Sequence, residues 1–276
     1  MRKLFDEDFE SIELIEGGVI LNKTIDPNFP DVKVKAQIEA LREELATIMS
    51  DPAQLSPEAT GKEKLALIIE VFYQRWGFVG DDETFFHSNN SLLDKVLEKR
   101  KGLPVTLGAL LLFFCRQHNL PVEGVNFPTQ FLLRFNWSDN DIVYLNPFIG
   151  EYTDEHTLQA WIIGYEGPLA KLERRHLETA DNPMVIGRWL GIIKQALISE
   201  DRFELALSCS KLVFTFNDDD PNEFRDRGLI YHKLGCDAAA IADLEYFLSK
   251  APPGVEATLV GHELEKIKLN RPTVVH

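Results

Sequence analysis

Residues 102–115 read GLPVTLGALLLFFC, and from Leu103 to Cys115 the run holds one hydroxyl and no charge. A helix built on it, from about Thr106 to His118, is apolar on nearly every face and has to be enclosed by protein. The run is shorter than the roughly 20 residues a membrane span needs. It predicts the central helix of a globular core and argues against a membrane span.

The flanking sequence supplies the cover. From Phe9 to about Met49, the residues Ile12, Leu14, Ile20, Leu21, Val34, Ile38, Leu41 and Leu45 fall at helical spacings, broken by DPNFPD at 26–31. SPEATGKEKLALIIEVFYQRWGF adds an amphipathic helix ending near Gly77, with Phe72, Tyr73, Trp76 and Phe78 as core aromatics. In NNSLLDKVLEKRKG, Ser91 is placed to cap, Asp94 to complete a capping box, and Gly102 to supply the left-handed stop. After the apolar run the period changes. VEGVNF, QFLLRF and DIVYL are short runs rich in Val, Phe, Ile and Tyr, separated by turn residues, and read as antiparallel strands. A buried helix followed by a small sheet is an α+β layout. HTLQAWI returns to helix, and ETADNP at 178–183 reads as a linker.

Beyond 180 the chain repeats. Leu190 aligns with Phe224, Leu197 with Tyr231, Ala206 with Ala240 and Val213 with Phe247, each at an offset of 34 residues, the period of tetratricopeptide helix pairs. Gly228, Tyr231, Ala240 and Pro252 sit at that repeat's spacings, and the small residues, Ala206 among them, allow paired helices to approach closely. The expected organisation is a first domain over 1–180 and an all-α repeat over 181–276, with ATLVGHELEKIKL as its capping helix.

The 276 residues carry 44 acidic and 29 basic side chains, a formal charge of -15. Such a surface repels phosphate backbones and anionic lipid, so neither nucleic acid nor membrane is an expected partner. Cys115, Cys209 and Cys236 are sparse and lack zinc or redox spacing, which suits free thiols in a reducing compartment. MRKLFDEDFE turns acidic at Asp6 before an apolar signal region could form. A cytoplasmic protein is expected. The histidines show no HExxH or related spacing, and neither GxGxxG nor a P-loop occurs, so neither a metal nor a cofactor is expected.

Cys115 is the obvious nucleophile by residue type, but it falls near the C-terminal end of the apolar helix. There the dipole disfavours a thiolate and burial raises its pKa, so it reads as a core residue. The other end, around Leu103 to Thr106, offers free backbone amides. With the strands that follow, it resembles a transglutaminase-like domain: a buried helix with the nucleophile at its N-terminus, a strand with histidine, then a strand with aspartate. More closely, KVLEKRKGLPVTLGALLL, GVNFPTQFLLRF and YLNPFIGE are similar to motifs of the bacterial SirB/YchA-type family, which joins a transglutaminase-like domain to tetratricopeptide repeats. WGFVGDDETFF, DPNEFRDRGLIYHKLGC and the order of segments extend the resemblance over most of the chain.

The resemblance implies that Thr106, or else Pro104, stands where the transglutaminase cysteine would be, Gln130 where the histidine would be and Asn146 where the aspartate would be. Other members of the wider family look like PGHF and DPF where this chain has PTQF and NPF. Threonine is a weak nucleophile without a base, glutamine does not shuttle protons near neutral pH, and asparagine does not stabilise an imidazolium. The triad reads as degenerate. Thr106, Gln130 and Asn146 then either line a polar pocket, with Arg100 and Pro104 at its rim, or satisfy one another and nearby backbone. Arg100 either pairs with a carboxylate of the fold or faces an acidic ligand. The expected function is a non-enzymatic, regulatory interaction scaffold, a monomer or weak homo-oligomer that binds an unknown protein or peptide through its repeats. The alternatives are a hydrolase or acyltransferase using Thr106 with Asp94, Glu98 or Glu151, and a small-amide sensor.

Overall fold

The structure, a computed structural model, describes residues 7–269. In chain order it contains helices α1 (Glu7–Glu10), α2 (Leu14–Ile25), α3 (Asp31–Ser50) and α4 (Gly61–Ile69), the last running into a π-helical turn at Glu70–Arg75. Strand β1 (Val79–Gly80), a 3-10 turn at Ser88–Asn90, α5 (Leu93–Lys99) and β2 (Lys101–Gly102) lead into α6 (Pro104–Gln117). Then come β3 (Val122–Asn126), β4 (Phe131–Ser138), β5 (Asp141–Asn146), β6 (Glu151–Thr153) and α7 (Glu155–Glu166). Helices α8 (Asn182–Ser199), α9 (Phe203–Phe216), α10 (Pro221–Lys233), α11 (Asp237–Lys250) and α12 (Val255–Leu269) complete the described chain. The α+β class followed by an all-α repeat is as the sequence predicts.

Two compact units emerge, Glu7–Trp189 and the residues from Leu190 on. In the first, α6 is the centre. Eleven of its fourteen residues are buried, and it packs against α2, α4, β3 and β4. Each fully buried Leu or Phe there contributes about 1.5–3 kcal/mol relative to exposure. The sheet is an antiparallel meander, β3-β4-β5-β6, with Val125 opposite Leu132, Leu133 opposite Leu145 and Leu145 opposite Tyr152. Its second face is covered by α7, through a cluster of Val125, Phe127, Leu132, Leu158 and Ile162. Because β4 is buried on both faces, FLLRF reads as a continuous apolar run with little alternation.

Three local expectations are overruled by tertiary contacts. Ser91 does not cap α5; the amide of Leu93 donates to Asn22 Oδ1 of α2 at 2.8 Å, a cap supplied by a distant helix. The left-handed residue after α5 is Arg100, φ 57°, and Gly102 instead extends β2. ETADNP is no free linker: Thr179 bridges Val125 and the Ala180 amide donates to Gly124 O, closing the β3 edge. The division between units therefore falls inside α8, where Trp189 still belongs to the first unit, its Nε1 donating to Ser91 O. An added Cβ at Gly18 would meet the Trp189 ring at 2.4 Å, so that glycine is needed for the close approach.

In the second unit α8 with α9 and α10 with α11 form the two helix pairs, and α12 closes on α11 through Leu244, Phe247, Val260, Leu264 and Ile267. Ala206 and Ala240 are fully buried, and Gly228 lets α10 approach Leu244. Tyr231 is half-buried near the Arg227 guanidinium, and Pro252 lies in the turn between α11 and α12. Arg227 forms a two-pronged pair with Asp243 at 2.7 and 2.8 Å and stacks 4.0 Å above the Phe214 ring. A buried charge network ties α8 to α10: Lys194 Nζ lies 2.5 Å from Glu223 and 2.8 Å from Asp226, while Ser210 of α9 donates to Glu223 at 2.7 Å. Burial alone would push the Lys194 ammonium down, but Asp226 and Glu223 outweigh it and hold it above its ordinary value.

Replacing Lys194 by Ala leaves the buried Glu223 carboxylate without its counter-charge, only Ser210 still donating to it, and should cost about 3–5 kcal/mol in urea unfolding. Because the shift is upward, the Lys194 contribution is complete below the unfolded lysine pKa. The gap between wild type and variant should therefore close only above about pH 10.

Candidate functional site

The start of α6 is set by Pro104, whose fixed φ suits the first helical position and whose missing N–H costs nothing there. The free amide of Leu103 is taken by Thr106 Oγ1 at 2.9 Å, and the same hydroxyl has the carbonyls of Asn90 and Leu103 as acceptors, each at 3.0 Å. Thr106 is 0% exposed. A Cβ on Gly102 would come within 2.7 Å of Oγ1, so β2 reaches the hydroxyl only because glycine stands there. Among the described residues Thr106 hydrogen-bonds only backbone, and none of Asp94, Glu98 and Glu151 bonds to it.

On the opposite side of the helix, a Cβ added at Gly108 would meet the Phe131 ring at 2.5 Å and Pro147 Cγ at 3.2 Å. Phe131 and Pro147 directly follow Gln130 and Asn146, so this face of α6 looks toward both segments. Pro104 shares the face, being four residues earlier, whereas Thr106 is about 200° around the helix from Gly108. The structure thus turns Pro104 toward the segments of Gln130 and Asn146 and Thr106 toward the 3-10 turn.

Gln130 is half-buried in the bend before β4, its backbone N–H donating to Phe127 O at 3.2 Å. Arg188 of α8 clamps that bend: Nη1 reaches Asn126 Oδ1 at 2.7 Å and Phe127 O at 2.6 Å, and Nη2 reaches Pro128 O at 3.3 Å. Burial pushes the Arg188 pKa down. Sequence reasoning missed this residue, since nothing in GRWLGII marks one arginine as an inward clamp.

Asn146, 4% exposed, ends β5, and its Oδ1 accepts the Phe148 amide at 3.0 Å. The 146–150 turn is fixed at three further points. Tyr73 Oη donates to Pro147 O at 2.6 Å, Gly80 N–H donates to Phe148 O at 3.0 Å, and Gly150, φ +74°, donates to Asn146 O at 2.9 Å. Burial pushes the Tyr73 phenol well above its ordinary range. Arg100 is not paired with a carboxylate through a hydrogen bond; its guanidinium lies 4.6 Å over the Phe78 ring, with Nη1 buried and unpartnered. Burial pushes its pKa down, and Glu44 acts the other way.

Cys115 is fully buried and its thiol is pushed far up by that burial. Cys209 is pushed up to about 12, mainly by burial, with Lys194 opposing. Cys236 alone of the three is exposed. Among the described residues no group of His, Cys, Asp and Glu is placed to hold a metal, and no helix is long and apolar enough to cross a membrane.

With this geometry, residues 32–191 match the transglutaminase-like superfamily and 193–265 the tetratricopeptide repeat. The chain is 44% identical to a UPF0162 protein of Vibrio cholerae over the whole of both chains. It is 37% identical, over 97% of each chain, to protein SirB1 of Salmonella typhimurium and to UPF0162 protein YchA of Escherichia coli. The chain belongs to the UPF0162/SirB1 family. No solved structure matches it significantly. In this UPF0162/SirB1 protein the helix and strands of a transglutaminase-like domain are in place, while the hydroxyl at 106 is part of the backbone's hydrogen bonding.

Thr106→Val keeps the shape but removes three buried hydrogen bonds of the hydroxyl, leaving the Leu103 amide only its longer bond to Asn90 O, and should lose about 1–3 kcal/mol in urea unfolding, most of which Thr106→Ser recovers. In native protein near pH 8 a thiol reagent should label Cys236 and leave Cys115 and Cys209 untouched until the chain is unfolded.

Proposed function

We propose that this protein is a non-enzymatic, cytoplasmic scaffold in which a degenerate transglutaminase-like domain is joined to a partner-binding helical repeat, monomeric or weakly self-associating. The observation that carries this reading is the Thr106 hydroxyl, which is shielded from solvent and bonded to three backbone atoms, so it has neither a base nor access to a substrate. Gln130 and Asn146 supply no proton shuttle. Tetratricopeptide repeats generally mediate protein–protein interaction, and here α10 and α12 leave Leu229, Val255 and Leu259 exposed. A cleft of about 360 Å³ at the α11–α12 turn has Phe247, Pro252 and Val255 among its walls. The hydroxyl's engagement weighs against a hydrolase or acyltransferase at Thr106, and against a sensor that would need Thr106 to meet an amide.

Co-purification of the full chain with Leu229→Asp and Leu259→Asp substitutions, against wild type, tests the repeat reading. Partners cross-linked to α10 or α12 in wild type should be lost from the variant. Retention of the same cross-linked partners would defeat it. Turnover of an amide or amine substrate that Thr106→Val abolishes, with the fold intact by circular dichroism, would defeat the non-enzymatic reading.

A further inference from the structure

The turn that carries Asn146 has an outer side in solvent. There the half-buried Phe148 ring lies over Gly80, where a Cβ would come within 2.5 Å of it, and meets Phe85 with centroids 5.7 Å apart. Next to this ring pair in the chain stand two large apolar side chains in water: Phe86 at 80% exposure, its ring 5.1 Å from Phe85, and Ile149 at 54%, following Phe148. They come from two places in the chain, brought together by the Phe85–Phe148 ring contact. Exposed aromatic and aliphatic side chains brought together from separate segments mark an interaction site.

Around the patch, exposed acids outnumber the one lysine among the described residues, Lys101. Asp82, Glu83 and Glu151 are exposed and form no ion pair among the described residues. Asp81 is the inward member of that run, accepting from the Thr84 amide and hydroxyl with Lys101 Nζ at 3.7 Å, so that lysine is engaged. The turn beneath is fixed by the bonds to Asn146, Tyr73 and Gly80, and a surface held rigid before binding loses less entropy on binding.

We propose that this acid-rimmed aromatic patch docks an extended segment of a partner protein carrying a bulky apolar side chain flanked by lysine or arginine. The exposed acids select against nucleic acid and anionic lipid, and a second copy would set the same carboxylates against each other. The site lies wholly in the first unit and does not depend on the repeat surface.

Fluorescence polarisation of the full chain tests it with two labelled peptides. One holds Leu-Phe between two arginines on each side; the other has glutamates in place of the arginines. Expected is saturable binding of the arginine peptide alone, weakened roughly tenfold or more by Phe86→Ser with Ile149→Ser, as for anchor residues at an interface. Asp82→Asn with Glu83→Gln should weaken it too and flatten its salt dependence. Phe86→Leu and Leu229→Asp should leave it unchanged. All the altered side chains are solvent-exposed, and an unchanged thermal midpoint verifies the fold. No saturable binding, equal binding of the glutamate peptide, or wild-type binding by the serine variant would overturn the proposal.

Discussion

A helix with no polar face must be covered on every side, and in the first unit α6 sets where everything else goes. The helices α2 and α4 and the strands β3 and β4 pack around it, and α7 closes the far face of the sheet. The backbone at the helix start then has to find partners without water. The amide of Leu103 donates both to Asn90 O, at 3.2 Å, and to Thr106 Oγ1. Two short strands and a 3-10 turn are assembled around that need, the amides of Val79 in β1 and of Asp81 just after it donating to Arg100 O and Gly102 O.

The same enclosure explains the geometry at the start of α6. A nucleophile at a helix N-terminus is useful when its side chain faces a cleft and a base. Here the face of α6 turned toward the segments of Gln130 and Asn146 carries Pro104 and Gly108, which have no protic side chain, and the one hydroxyl nearby points into the fold. The flanking segments are nevertheless held firmly, one by Arg188 and the other by Tyr73 and Gly80.

The repeat unit solves a different problem. Two helix pairs and one cap bury little apolar area, and part of their specificity comes from ion pairs: Lys194 with Glu223 and Asp226, and Arg227 with Asp243. These connect helices distant in sequence, and neither was apparent from the 34-residue offset, which located the small packing residues Ala206, Gly228 and Ala240 but not the charges.

Much of the fold was legible from one sequence. The apolar run gave the buried helix, the change of period gave β3, β4 and β5, and the repeat offset gave the two helix pairs, because each signal is a local periodicity imposed by the geometry of one element. The motif order also sufficed to place the chain in its family. What the sequence could not show is where side chains point once elements meet. Ser91 had the right spacing to cap α5, yet Asn22, far away in the chain, does it. Arg100 was expected at a pocket rim but lies over Phe78, and Arg188 clamps a bend no local pattern associates with it. Sequence alone determined the buried helix, the main strands, the helix pairs and the residue types at 106, 130 and 146. Only the tertiary structure decided that Thr106 serves the backbone, because the orientation of a hydroxyl on a helix enclosed by protein is set by whichever buried amide and carbonyl would otherwise lack a partner.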